Sequence, residues 1–352
     1  MTNFVLNAWY MVAWTDELTA APLARRVLDM PIVLFRTATG QAAALINRCP
    51  HRFAPLSRGQ VQGEMIRCGY HGLGFSAAGK CVDSPFGLAV PPGAEVRSFP
   101  VVERDACLWL WPGQPELADP GSIPDFGYHL DPAYRVVKGY SAVGAHFEVI
   151  TDNLMDLTHT RYLHPAFGGD DWVPEVAFSQ EEETLYAHYT IAQYPPSPFS
   201  EGYLPANGRQ IRETDYIRWN APASMYLHIE LRLADAPDDA RALQPSSHIL
   251  CPETATTTHY FWASGAERDA PITDEEHVEA MKFAFDLEDA PMLEAVQEGM
   301  EGKDFWDLRP AILAYDAAGV RARRLMRRKL HAEQRGEAPA PPEDLAAAMP
   351  AS

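Results

Sequence analysis

The sequence predicts an α+β chain: an all-β N-terminal module, then a larger domain built from an antiparallel sheet and helices. Three observations carry this. The first 115 residues hold short apolar runs punctuated by Gly and Pro, with no useful helical period. The middle of the chain holds longer alternating segments, and two helical stretches close it. The implied organisation is a β domain over 1–115, a junction over 116–135, a second domain over 136–335 and a flexible tail over 336–352.

In chain order, VLDMPIVLFRT and GQAAALINRC are two apolar runs parted by Ala38, Thr39 and Gly40, which predicts a hairpin. Further strands are expected at 65–68, 72–76, 94–104 and 106–113. In the last, Cys107, Trp109 and Trp111 share one face and Leu108 and Leu110 the other. The stretch 112–132 is dense in Pro, Gly and Asp, the composition of a domain junction. Beyond it YRVVKGYSAVGAHFEVI reads as a strand, and Asn153 to Pro165 as a short helix stopped by its proline. ETLYAHYTIA, RQIRETDYIRW, SMYLHIELRLA, SSHILCPE and TTTHYFWASG supply the sheet. A helix starts near Asp274 and is expected to bend or break at Pro291. The last helix, AAGVRARRLMRRKLHAEQ, sets Val320, Leu325 and Met326 roughly on one side among six Arg or Lys.

Composition narrows the function. The 352 residues are 47% hydrophobic and 22% charged, enough for a substantial core and unlike a disordered chain. A net charge of −19 repels phosphate backbones, so nucleic acid is not the expected partner. Five cysteines are too few for a disulfide scaffold. No run approaches the 18 apolar residues of a membrane span, and the start lacks a basic n-region, so a soluble cytoplasmic protein is expected.

Two constellations carry chemistry. Cys49-x-His51 and Cys68-x2-His71 each sit in a Gly/Pro-rich loop beside a strand. The order C-x-H…C-x2-H differs from a zinc finger, in which both cysteines precede both histidines. Two thiolates and two imidazoles suit a [2Fe–2S] cluster with sulfur ligands on one iron and nitrogen ligands on the other. A zinc ion and a coincidence of core residues are the competing readings. In the second constellation, Asp152, Asp156, His159 and His164 interrupt an apolar helix. His159 and His164 are five apart, about 140° off one face, so shared ligation requires the helix to loosen between them. Two histidines and one carboxylate hold a ferrous ion that activates O2. The alternative is a pair of core histidines bonded to carboxylates or backbone.

The stretches NAWYMVAW, CPHRFAPLSRG, CGYHGLGF, SFPVVERD and DNLMDLTHTRYLH resemble the oxygenase components of Rieske non-haem iron oxygenases, in the branch with vanillate and dicamba O-demethylases. The resemblance runs over nearly the whole chain. It implies a Rieske [2Fe–2S] domain followed by a helix-grip-like catalytic domain. It also implies one cluster and one mononuclear Fe(II) per subunit. It places the third iron ligand in FDLEDAPMLEAVQEG at Asp289, with Asp286 and Glu288 as rivals. Asp156 is implied as an electron bridge in a head-to-tail homotrimer, the path running from His71 of one chain through Asp156 of the next to His159. The chain has no GxGxxG in a βαβ setting and no flavin signature. Electrons from NAD(P)H are therefore expected through a separate reductase, itself carrying flavin or a [2Fe–2S] cluster.

The implied reaction is O-demethylation of an aromatic acid: hydroxylation of an O–CH3 carbon gives a hemiacetal that collapses to a phenol and formaldehyde. Ring or methyl hydroxylation is the nearest rival, and a stand-alone Rieske electron carrier a more distant one. His248 matches a position where histidine helps hold an aromatic carboxylate. Leu227 stands where the dicamba-demethylating branch supplies an amide, and Arg218 and Asn220 are the expected replacements. The phrase RWNAPAS is more like the vanillate branch and points to a methoxybenzoate.

Overall fold

The computed structural model describes residues 3–236 and 241–336. The flexible tail expected from Gly336 onward lies, past that residue, outside the described residues. The described residues divide into two compact units: Leu6–Ile123 with Cys251–Ala255, and the rest of them.

The smaller unit is all β. β1 (Tyr10–Trp14), β11 (Cys107–Leu110) and β10 (Val101–Arg104) form one sheet. β2 (Leu23–Val27), β3 (Met30–Arg36), β4 (Ala42–Ile46) and β9 (Ser98–Phe99) form a second. β5 (Gln60–Gln62), β6 (Met65–Arg67), β7 (Gly74–Ser76) and β8 (Cys81–Asp83) form a third. Every residue of β1 and of β11 is buried. A strand covered on both faces shows no alternation, which is why YMVAW carries no period-2 signal. The expected hairpin between β3 and β4 is present. The run VLDMPIVLFRT is not one strand, however. Val27 pairs with Met30 across a two-residue turn in which Leu28 and Asp29 both have positive φ, 49° and 64°. That is a type I′ geometry made without glycine.

The larger unit is a seven-stranded antiparallel sheet in the order β12 (Tyr134–Val143), β18 (Thr258–Glu267), β17 (Arg241–Pro252), β16 (Ser224–Leu233), β15 (Ile211–Asn220), β14 (Thr184–Tyr194), β13 (Glu175–Glu181). The first strand pairs with the last along ten residues, Tyr134↔Glu267 to Val143↔Thr258. The strand read through YRVVKGYSAVGAHFEVI stops at Val143; α1 (Phe147–Met155) follows, with His146 as N-cap accepting from the Glu148 amide at 3.3 Å. β13 alternates between exposed and half-buried residues at the sheet edge and carries little apolar signal.

α3 (Pro198–Tyr203) lies between β14 and β15, and after β18 come α4 (Asp274–Lys282), a π-helical segment Phe283–Asp289 and α5 (Ala290–Gly299). The break expected at Pro291 falls upstream of it. Proline has no N–H for the residue-287 carbonyl and its ring crowds that oxygen, so the preceding turns widen to i→i+5 bonding. The widening ends at Asp289. α6 (Ala317–Arg335) packs on α1, and its buried face includes Ala318, Ala322, Leu325, Met326 and also Arg323. No helix among the described residues is long and apolar enough to cross a membrane.

Candidate metal centres and catalytic cavity

In the smaller unit, the loops that follow β4 and β6 present the first constellation. Cys49 and Cys68 lie in one buried cluster with Val33, Phe35, Leu45, Ile66 and Phe75. Each loop folds back tightly on its cysteine: the Phe53 amide donates to the Cys49 carbonyl at 2.9 Å, and the Gly72 amide to the Cys68 carbonyl at 3.1 Å. Gly72 has φ +78°, which glycine adopts without penalty. A Cβ at Gly69 would come 2.6 Å from the Arg58 carbonyl oxygen, so the two loops approach backbone to backbone. The His51 and His71 rings sit exposed, edge to face, with centroids 4.5 Å apart.

Burial, then the neighbouring Cys68, pushes the Cys49 thiol up to about 11, so a metal must displace its proton. A single tetrahedral ion needs its donors a few ångströms apart. Among the described residues, only His159, His164 and Asp289 bring three such donor atoms within 4.8 Å of one another. Two buried thiols below two exposed rings fit a group with two metal atoms.

In the larger unit, α1 ends at Asp156, which leaves the helical region with φ −128° and ψ 94°. A 3-10 turn Leu157–His159 and the single turn α2 (Thr160–Leu163) follow; His164 is again non-helical, φ −118° and ψ 68°. The chain therefore loosens on both sides of α2, and the two imidazoles turn toward each other, with centroids 5.1 Å apart. His159 Nδ1 donates to the Asp156 carbonyl at 2.6 Å, and His164 Nδ1 donates to Glu288 Oε2 at 2.7 Å. Those bonds fix the tautomers and leave both Nε2 lone pairs inward. Nε2 of His164 and of His159 lie 3.2 and 3.7 Å from Asp289 Oδ1. Asn153 Nδ2 also donates to that oxygen at 3.1 Å.

Burial lowers the pKa of His159. Burial also pulls on His164, but hydrogen bonding and charge from Asp289, then Glu288, outweigh it and the net shift is upward. The rivals are engaged elsewhere: Glu288 orients His164 from behind, and Asp286 accepts from Ser141 Oγ. Asp156 caps the 3-10 turn, its Oδ1 accepting from the Thr158 amide at 2.9 Å.

Sequence reading missed two supports. Tyr189 bridges the helix break, its hydroxyl accepting from the Leu157 amide at 3.1 Å and donating to the Met155 carbonyl at 3.0 Å. Arg323 reaches Asp152 Oδ2 at 2.7 Å and Glu148 Oε2 at 3.1 Å, which ties α6 to α1.

His159, His164 and Asp289 line a cavity of about 790 Å³, its mouth included, between the helices and the sheet. Leu154, Leu157, Phe167, Phe199, Ile217, Met225, Leu227 and Phe285 make it largely apolar, and Trp172, Glu213, Asp215, Gln244, Ser246 and His248 also contribute. His248 Nδ1 pairs with Tyr260 Oη at 2.6 Å, and burial lowers its pKa to about 4, so it is neutral. Two expected substrate residues are not on this wall. Along β15, Ile217 and Trp219 are fully buried, which turns the alternate residues Arg218 and Asn220 to the other face. Arg218 donates to the Asp125 carbonyl at 2.7 Å and lies over the Phe126 and Tyr226 rings; Asn220 donates to Thr184 Oγ1 at 3.0 Å.

A β module with a paired Cys-His/Cys-His site, joined to a sheet-and-helix domain with a facial His-His-Asp set, defines a Rieske-type non-haem iron oxygenase. Residues 8–100 match the family described as Rieske [2Fe-2S] domain, and residues 143–332 match the vanillate O-demethylase oxygenase C-terminal domain. The chain is 40% identical to the oxygenase component of dicamba O-demethylase from Stenotrophomonas maltophilia, over 92% of this chain and 96% of that one. It is 33% identical to the vanillate O-demethylase oxygenase subunit of a Pseudomonas species, over 94% and 96%. A crystal structure of dicamba monooxygenase with non-haem iron and dicamba superposes with a TM-score of 0.83 at 37% identity, covering 96% of this chain and all of that one. The chain belongs to this family of Rieske oxygenase components. It is a monooxygenase subunit whose cofactors are one Rieske [2Fe–2S] cluster and one mononuclear iron, and it works with a separate reductase.

Proposed function

We propose that the chain O-demethylates an aromatic methyl ether, releasing a phenol and formaldehyde. Cys49, Cys68, His51 and His71 hold the cluster, and His159, His164 and Asp289 hold the iron. One observation supports this above the others: both Nε2 atoms and the Asp289 carboxylate converge on the wall of a cavity otherwise lined mostly by apolar and aromatic side chains. The relatives named O-demethylases agree with it.

Bound there, the iron supplies O2 activation for hydroxylation of a nearby C–H bond, driven by electrons from the cluster. The protein's own share is placement. Asp156 and Glu288 fix the two imidazoles through their Nδ1 hydrogens, and Asn153 holds Asp289. Leu154, Leu157, Phe167 and Phe285 keep bulk water from the reacting carbon and seat an arene edge. Position of the methyl carbon, set by Ile217, Leu227 and Phe285, decides demethylation over ring attack.

Asp156 is the bridge to a neighbouring subunit's cluster in a homotrimer. Exposed Phe53 and Tyr70 flank the exposed His51 and His71, and exposed Tyr162 lies on α2 beside His159, two apolar rims suited to meet across such an interface. A reductase carrying flavin or [2Fe–2S] completes the system.

The test is turnover of methoxyarenes by the metal-replete protein with a reductase, scoring formaldehyde against O2 consumed. One formaldehyde per O2 supports the reading. Product hydroxylated on the ring or on a C-methyl group, without formaldehyde, overturns it.

A further inference from the structure

The polar end of this cavity offers acids where the aromatic carboxylate that the resemblance implies needs donors. Two carboxyls, Glu213 and Asp215, project from inward positions of β15, in phase with Ile211, Ile217 and Trp219. Glu213 accepts from Trp172 Nε1 at 3.1 Å and from the Tyr194 hydroxyl, so donors already stabilise its ionised form. Asp215 is 1% exposed, and neither of its oxygens has a hydrogen-bond partner apart from the Glu213 carboxyl beside it.

Asp215 pairs across the sheet with Ile229, and Ile229 with Gln244, so Asp215 and Gln244 belong to one cross-strand row. Gln244 is 3% exposed; its Nε2 donates to Ser264 Oγ at 2.9 Å while its Oε1 has no partner. Asp215 and Gln244, each buried with acceptor oxygen that no donor outside the acid pair reaches, therefore lie two strands apart on one row of the cavity wall, with Ile229 between them. None of the described residues that line it is Lys or Arg. Burial raises the pKa of both carboxyls, and the Glu213 charge raises Asp215 further, because no cation among the described lining residues stands beside either of them. His248 stands four residues from Gln244 on β17, about 13 Å along the strand, which leaves room for an arene between the two.

We infer that the cavity selects a methoxyarene whose polar end is a cationic nitrogen, such as a protonated amine, seated on Asp215, Glu213 and Gln244. An ammonium supplies the N–H donors and the positive charge that this wall lacks. An anionic head finds neither Lys nor Arg beside Asp215 and Glu213 and is rejected. A neutral alcohol donates one hydrogen bond and brings no charge. This inference rests on the aryl methyl ether reading for the ring and the methyl group, and on the β15–β17 wall for the head.

The experiment is calorimetric binding to the cluster- and iron-loaded protein, under nitrogen, of three matched probes: 3-methoxybenzylamine, 3-methoxybenzyl alcohol and 3-methoxybenzoate. The amine is expected to bind about tenfold or more tighter than the alcohol, with the benzoate weakest. Asp215→Asn and, separately, Glu213→Gln are expected to remove the amine's lead over the alcohol. A benzoate that binds as well as the amine, an alcohol equal to it, an amine lead that survives in both variants, or no binding by any probe overturns the inference. Because binding is read without turnover, a protein that ranks the probes as expected but makes no formaldehyde from them refutes the demethylation reading instead.

Discussion

Replacing Glu288 by Gln tests how the iron site is held. Glu288 Oε2 accepts the Nδ1 hydrogen of His164 at 2.7 Å, while the same ring's Nε2 faces Asp289. Glutamine still accepts that hydrogen but lacks the charge, so the imidazole becomes a poorer donor to a metal. Partners of this kind are worth roughly 10- to 100-fold in metal affinity, about 1.4–2.7 kcal/mol. The pH dependence moves independently. His164 sits above its ordinary pKa because Asp289 and then Glu288 outweigh burial, and protonation there competes with iron. Without the Glu288 charge that pKa falls, so the pH at which iron is lost shifts to more acid values even as affinity near neutrality drops. A ferrous chelator competed against the protein across the acid-to-neutral range reads both effects, with the cluster's visible absorbance as the control for folding. Unchanged affinity together with an unchanged pH midpoint refutes the account of Glu288 as the orienting partner.

Three further outcomes follow from the same contacts. Arg323→Met leaves Asp152 and Glu148 without their buried partner, where burial already pushes Glu148 up to about 7; a loss of about 3–5 kcal/mol is expected, seen as a fall of roughly 6–20 °C in Tm, and a shift under about 2 °C contradicts it. Asp156→Asn is expected to keep the cap on the Thr158 amide and both metal centres yet nearly abolish turnover; full activity, measured as formaldehyde formed, removes Asp156 from the electron path. His277 is buried and bonded to Ser264 Oγ at 2.8 Å, with its pKa lowered to about 4. Its folded pKa lies below the unfolded value of about 6.5, so its stabilisation is present above 6.5 and lost as pH falls toward 4; urea unfolding of His277→Gln should vary less with pH there, by about 1.4 kcal/mol per unit.

The metal loops were legible because two short Cys/His pairs in turn-rich segments have few other uses, and because the five-residue gap between His159 and His164 already demanded an interrupted helix. The end of α2 at Leu163, with His164 non-helical, meets that demand. The π segment before Asp289 was not legible as such: Pro291 signals a fault in the helix but not on which side the turns widen. Glu288 reads like any solvated helix acid until the fold brings it 2.7 Å from a residue 124 positions away.

The β15 wall shows the clearest loss and the clearest missed signal. In RQIRETDYIRWN, charged residues occupy both faces, so the segment looks like a solvated strand. Yet Glu213 and Asp215 share parity with Ile211, Ile217 and Trp219, whereas Arg218 and Asn220 do not. Parity alone would have turned the acids inward and sent the expected carboxylate-binding residues out. The oxygen-activating class of the reading stands, while a cationic polar end on the substrate is what we propose.

On the reading proposed above, one chain houses two separate iron centres, one stapled by Cys49, His51, Cys68 and His71 and one by His159, His164 and Asp289. Elemental analysis of anaerobically purified protein, paired with its visible spectrum, tests this most directly. Three irons per chain with a red-brown cluster band are expected, two remaining in His164→Ala with the band intact. Zinc in place of iron, a colourless protein, or a third iron that persists without His164 would contradict it.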